Sequence, residues 1–77
     1  MLNHLGQLSV GEKAVVAGFA ANQKKYRARL LAMGLTKGVA LELTRVAPLG
    51  DPLEIRVRGF CLSLRKAEAM AVLVERG

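Results

Sequence analysis

Apolar residues recur at two spacings along this chain, and the switches between them mark its elements. Leu2, Leu5 and Leu8 stand three apart, and Ser9-Val10-Gly11-Glu12 follows as a turn. Lys13–Phe19 is rich in valine and alanine and predicts a first strand. Asn22 is a suitable N-cap, because its side chain can accept from an orphan helix N–H. A helix is predicted over residues 23–33, where Tyr26, Leu30 and Met33 fall at i, i+4 and i+7. Gly34 suits the left-handed residue that ends a helix. Lys24, Lys25, Arg27 and Arg29 lie off the apolar stripe and point to water. Leu31 also lies off it, beside Arg27, either as a second row of core or as an exposed apolar contact.

Period-two alternation takes over after Thr36-Lys37-Gly38. Residues 39–47 set Val39, Leu41 and Leu43 against Ala40, Glu42 and Thr44, a second strand. Pro48-Leu49-Gly50-Asp51-Pro52 is composed of turn residues. Residues 53–58 alternate again, with Leu53, Ile55 and Val57 inward and Glu54, Arg56 and Arg58 outward. Gly59 marks a tight turn. A fourth strand spans residues 60–64, with Phe60, Leu62 and Leu64 inward and Cys61 on the opposite parity. Residues 65–70 allow one helical turn, and residues 71–75 read as a final strand.

The order is strand, helix, then four strands joined by short turns. Five short strands with one apolar face must curl to bury it. The expectation is a mainly β fold: a small SH3-like barrel of about five strands, with one inserted α-helix and a short helical turn. Length bounds the rest. A chain of 77 residues holds one domain, residues 1–77, and buries roughly 60% of its unfolded surface. It has room for a core, but hardly for a deep catalytic cleft as well. No apolar run approaches the roughly 18 residues that cross a bilayer, and Met1-Leu2-Asn3-His4 lacks the basic-then-apolar layout of a secretory signal. Cys61 is the one cysteine. No internal disulfide can form, which points to a reducing compartment, the cytoplasm.

Charge changes the picture. The net charge is +6, yet no acidic residue stands between Glu12 and Glu42. That interval holds Lys13, Lys24, Lys25, Arg27, Arg29 and Lys37, and the remainder of the chain balances. Such a segment attracts acidic protein surface, anionic lipid or nucleic acid. The same pattern also fits a plainly solvated helix face.

The residues for catalysis are missing. A nucleophile needs a base within hydrogen-bond reach, and the one histidine, His4, sits near a terminus expected to be mobile. Glu12, Glu42, Asp51, Glu54, Glu68 and Glu75 are scattered over turns and outward strand positions, without the pairing that acid–base work requires. Gly34-Leu35-Thr36-Lys37-Gly38 does not match a phosphate loop. Structural zinc needs about four Cys or His ligands, and Cys61 and His4 stand far apart. His4 remains a weak candidate for a surface metal site, against a solvated histidine. No cofactor is expected. Proline-rich ligands and single-stranded nucleic acid both want aromatic surface, and Phe19, Tyr26 and Phe60 are a poor supply. Charge alone still allows a basic barrel that binds nucleic acid non-specifically, the alternative function.

Two segments resemble a known family. Arg29-Leu30-Leu31-Ala32-Met33-Gly34-Leu35-Thr36-Lys37-Gly38 is similar to the R-L-x-x-(L/M)-G-(L/M)-x-x-G signature of the FeoA family, the ferrous iron transport protein A. Residues 45–59, with the Ala47-Pro48-Leu49-Gly50-Asp51-Pro52 run, are similar to its second signature. Cys61-Leu62-Ser63-Leu64-Arg65-Lys66 and the opening Leu5-x-x-Leu8-x-x-Gly11 continue the match. The resemblance implies an SH3-like barrel and a cytoplasmic accessory protein of bacterial Fe²⁺ uptake. The implied partner is the family's membrane permease, FeoB, which carries a cytosolic G-protein domain. Exposure and charge then nominate the contact residues: Lys24, Lys25, Arg27, Arg29, Leu31 and Lys37 first, and the loop Leu49, Gly50 and Asp51 second. Contact with an anionic membrane and self-association are further partner expectations.

Overall fold

A computed structural model of the chain describes residues 3–21 and 24–76. The proposed cap Asn22 and the helix start at Gln23 lie outside the described residues, as does Leu2. In chain order the elements are β1 (Asn3–His4), a 3-10 turn (Leu5–Gln7), β2 (Lys13–Phe19), α1 (Lys24–Ala32), β3 (Ala40–Val46), β4 (Leu53–Val57), β5 (Phe60–Leu64), α2 (Lys66–Met70) and β6 (Val72–Arg76). The strands form one antiparallel sheet in the order β1-β6-β2-β3-β4-β5. The mainly β barrel expected from the alternation is therefore present, with six strands among the described residues.

The additional strand is β1. Asn3 and His4 carry no β pattern of their own; they pair with Val74 and Leu73 of β6. That pairing corrects the view of His4 as part of a mobile end. Just after it, the His4 N–H donates to Gln7 Oε1 (2.9 Å) and closes the 3-10 turn. Leu5 and Leu8 then drop into the core. Arg76 fastens this end further: its Nη2 donates to the Gln7 carbonyl at 2.7 Å, and its Nε meets Glu12 at 2.9 Å.

Two bulges let the sheet curl. Register shifts between Val16 and Gly18 on β2, and between Leu43 and Arg45 on β3. Each inserts one residue, bends its strand and raises the local twist. The unpaired Thr44 uses its hydroxyl to donate to the Glu54 carbonyl at 3.1 Å. The concave face buries Val16, Leu41, Leu43, Ile55, Leu64, Val72 and Val74 almost completely. The predicted inward positions of β3 and β4 are met: Leu41 opposes Val57 and Leu43 opposes Ile55.

β5 departs from its alternation at one end. Leu64 is fully buried, but Phe60 is 71% exposed instead of inward. Its parity is correct. The strand has simply run past the core, because Phe60 pairs with Val57 across the turn that ends the sheet. Arg58 (φ +52°) and Gly59 (φ +82°) form that two-residue turn. Both central residues of this turn type must be left-handed, which favours Asn-Gly. Arginine at the first of them carries a strain of about 1 kcal/mol. Arg58→Asn should therefore stabilise the fold by about 0.5–1 kcal/mol. Urea unfolding monitored by circular dichroism checks this, and an unchanged or lower midpoint contradicts it.

Candidate docking site

The single long helix ends by a device that explains the sequence around it. The Leu35 N–H donates to the Leu30 carbonyl (3.1 Å) and the Gly34 N–H to the Leu31 carbonyl (3.0 Å). With Gly34 at φ +95°, this is a Schellman stop, in which the residue beyond the glycine packs on the residue one turn inside. Leu30 and Leu35 are both fully buried. The Arg29-Leu30-x-x-Met33-Gly34-Leu35 segment thus specifies where α1 stops and where the chain re-enters the core.

α1 has an inner row and an outer face. Leu30 is fully buried, while Tyr26 and Met33 are half-buried against the core. Lys24, Lys25 and Arg27 are exposed, as expected. Lys25 Nζ lies 5.1 Å from the Tyr26 ring centroid. Tyr26 is thus half-buried against the core with a lysine beside its ring. Leu31 is 38% exposed and so is not a second core row. Lys37 is exposed on the turn into β3.

Arg29 differs from its neighbours. Its Nε makes an ion pair with Glu68 Oε2 at 3.0 Å. Glu68 was expected on an outward or turn position; instead it is 4% exposed, the one buried charged residue among those described. Its other oxygen, Oε1, accepts the Arg65 N–H at 2.9 Å. The carboxylate faces inward because it satisfies an orphan donor at the start of α2, three residues upstream, while its second oxygen holds Arg29. The legible trace of this in the sequence is the glutamate three residues after Arg65, the spacing of a capping box.

The second predicted contact, Leu49-Gly50-Asp51, divides. Leu49 is 93% exposed at the loop tip. Gly50 (φ +83°) makes the turn, its N–H donating to the Ala47 carbonyl at 2.7 Å. Asp51 precedes a cis proline and accepts the Lys66 N–H on Oδ1 at 3.2 Å. The fold brings Asp51 and Arg29 together. With Ser63, Arg65 and Glu68 they line a polar cleft of about 420 Å³. Lys24, Lys25, Arg27, Leu31, Lys37, Leu49 and Gly50 do not line it.

A second cleft, of about 310 Å³, was not foreseen. Ala32 and Met33 wall one side, and Val57, Phe60, Cys61 and Leu62 the other. It is mainly apolar. The expectation of a core-buried Phe60 concealed it, since Phe60 is exposed and forms part of its wall. As for metal, His4 is half-buried with Nδ1 enclosed and unpartnered. Among the described residues no three His, Cys, Asp or Glu side chains gather as a ligand set.

With this geometry in place, comparison with known proteins is decisive. The model of the FeoA domain matches residues 3–76. The chain belongs to the FeoA family. It is 36% identical to an FeoA-like protein of Clostridium acetobutylicum, covering 97% of this chain and 86% of that one, with a TM-score of 0.89. FeoA of Stenotrophomonas maltophilia, a prokaryotic SH3-domain protein in complex with zinc, is 30% identical, covers 95% and 89% of the two chains, and superposes with a TM-score of 0.79. A fusion of Fe²⁺ transport protein A with the Fe²⁺ transporter FeoB, from Porphyromonas gingivalis, is 32% identical over 71 residues, 92% of this chain. The chain spans only 8% of that fusion's length.

The Glu68 arrangement carries a prediction for this FeoA-family domain. Glu68→Ala strips acceptors from Arg65 N–H and Arg29 at once and should cost about 2 kcal/mol. Glu68→Gln keeps one acceptor and should cost about half as much. Urea midpoints of the two variants test the order, and equal midpoints contradict it.

Proposed function

We propose that this protein is a small cytoplasmic accessory factor of ferrous iron uptake that acts by docking on an FeoB-type permease. The observation that carries the reading is the relative in which a domain like this one is fused to FeoB. Covalent linkage raises the effective concentration of two modules that work together, to the millimolar range for short linkers. A domain tethered to a module that it works with is well served by a docking surface on that module. Membership of the FeoA family supports the same pathway.

The surface fits binding better than catalysis. Glu68 and Arg29 neutralise each other, and no histidine stands by the free thiol of Cys61. Among the described residues no helix is long and apolar enough to cross a membrane, so the permease would supply the membrane part. The exposed cations Lys24, Lys25 and Arg27 give the outer face of α1 its sign. They suit an acidic surface of the permease's cytosolic region, beside the anionic headgroups of the leaflet. Arg27, exposed and free of ion pairs among the described residues, is the side chain to examine for an effect on the permease's G-protein domain. An arginine supplied in trans accelerates GTP hydrolysis by stabilising transition-state charge.

The charge-reversal test should omit Arg29, because reversing it would place a glutamate against buried Glu68. The triple variant Lys24→Glu, Lys25→Glu and Arg27→Glu should weaken co-purification with the permease by about tenfold or more. Fe²⁺ uptake should fall with it, while the unfolding midpoint stays close to that of the parent. Unchanged binding and uptake would remove the basic face from the docking surface. A GTPase rate of the permease indifferent to the added protein would dismiss the catalytic-arginine element alone.

A further inference from the structure

The two clefts lie in line between α1 and β5, one toward each end of that pair, and together they are called the groove. Arg29 borders the polar cleft, and Ala32 and Met33, one turn further along α1, border the apolar one. On the opposite wall the order runs back along β5: Ser63 and Leu64 at the polar end, Phe60, Cys61 and Leu62 at the apolar end. Residues of both parities line it, so α1 faces the edge of β5 and neither of its faces. Among the described residues β5 is the last strand of the sheet, paired only with β4.

That edge has unused hydrogen-bonding groups. In a hairpin with a two-residue turn, the residues flanking the turn exchange both backbone bonds. Here these are Val57 and Phe60, and Ile55–Leu62 and Leu53–Leu64 follow at every second position. Cys61 and Ser63 therefore turn their N–H and C=O groups away from β4, into the groove. A row of free donors and acceptors at a sheet edge is a template for another strand.

We propose that this groove receives an extended segment of the partner, added as a strand to β5, with an apolar side chain in the Met33–Leu62 cleft and acidic residues near Arg58 and Arg65. The idea rests on the docking reading above and gives it a location and a binding mode. Charge selects the occupant. Neither Arg58 nor Arg65 takes part in an ion pair among the described residues, whereas Asp51 and Glu68 are already engaged. A second copy of this chain, itself carrying +6, is a poor complement to such a rim. The strain at Arg58 agrees. A cation is held in the left-handed conformation where Asn or Gly would sit more easily, at the mouth of the apolar cleft. Strained residues of this kind collect at binding sites. In strand addition the main-chain bonds give affinity, and pockets for alternate side chains give selectivity.

The test uses the full chain with the detergent-solubilised FeoB-type permease. Amide hydrogen exchange at Cys61 and Ser63 should slow by about tenfold or more on complex formation. Ser63→Pro removes the outward donor while leaving the bonds to β4, a substitution that edge strands tolerate. Phe60→Glu places a like charge against an acidic segment from an exposed position. Each should reduce co-purification by about tenfold, with the circular dichroism spectrum retained. If Ser63→Pro fails to fold, Phe60→Glu and the exchange data still decide. Parent protein that co-purifies without protection at Cys61 and Ser63, and variants that bind as well as the parent, would overturn the groove and leave the association standing. No co-purification of the parent would overturn both. Protection that appears without permease and grows with protein concentration would show a second copy as the occupant, and overturn the proposal.

Discussion

A sheet with one apolar face and no second layer can bury that face only by curling over it. In this chain two inserted residues, at the register shifts of β2 and β3, provide the bend. Curling brings its own difficulty. The outermost strands, β1 and β5, do not pair with each other in the sheet, so each leaves an edge. At the β1 side the edge is only two residues long, which is one way a protein limits unwanted pairing. At the β5 side the strand is five residues long and α1 stands alongside it without filling the gap.

Two local devices hold that gap open. The Schellman stop at Gly34 fixes the C-terminal end of α1, because Leu30 and Leu35 are both anchored in the core. The Glu68 carboxylate holds the helix one turn earlier, through Arg29, and ties it to the first turn of α2. Arg29 remains largely exposed, at 70% of its side chain, so its pairing adds little through Coulomb attraction in water. Its consequence is positional: it ties α1 to α2. The FeoA-family segments are accordingly structural first. They place the walls of the groove.

The strands of the fold were legible where alternation met burial. Leu41, Leu43, Leu53, Ile55 and Val57 follow the period of two without exception. β1 was not legible, since Asn3 and His4 carry no pattern and form a strand only because β6 lies beside them. Phe60 shows the limit of parity. It fixes the face on which a side chain stands, but not whether core extends that far along the strand. Glu68 shows a limit of another kind. Carboxylates are seldom buried unless paired, and its partner Arg29 lies 39 positions earlier in the chain. Composition marked the basic helix correctly and took Arg29 as one solvated cation among four. The spacing Arg65-x-x-Glu68 was the one local trace of a different role.

Net charge illustrates the same gap between sequence and surface. Along the chain, the excess lies between Lys13 and Lys37. In space the sheet redistributes it. Lys13 and Arg56 both stand opposite Glu42 in the register of β2, β3 and β4, and Arg45 stands opposite Glu54. Cross-strand neighbours of opposite sign are mildly stabilising, and here they set the cations of the sheet beside carboxylates. Exposed cations without an ion pair among the described residues include Lys24, Lys25 and Arg27 on the outer face of α1 with Lys37, and Arg58 and Arg65 at the groove. These two groups suit different steps of one encounter. Exposed charge on α1 acts over about a Debye length and steers approach. In the proposed docking, the groove would act only on contact, through backbone bonds and an apolar pocket, and would therefore govern how long the partner stays. A basic patch alone would attract any anionic surface. In the proposed docking, selectivity would come from the groove, where donors, acceptors and apolar area stand at fixed spacing.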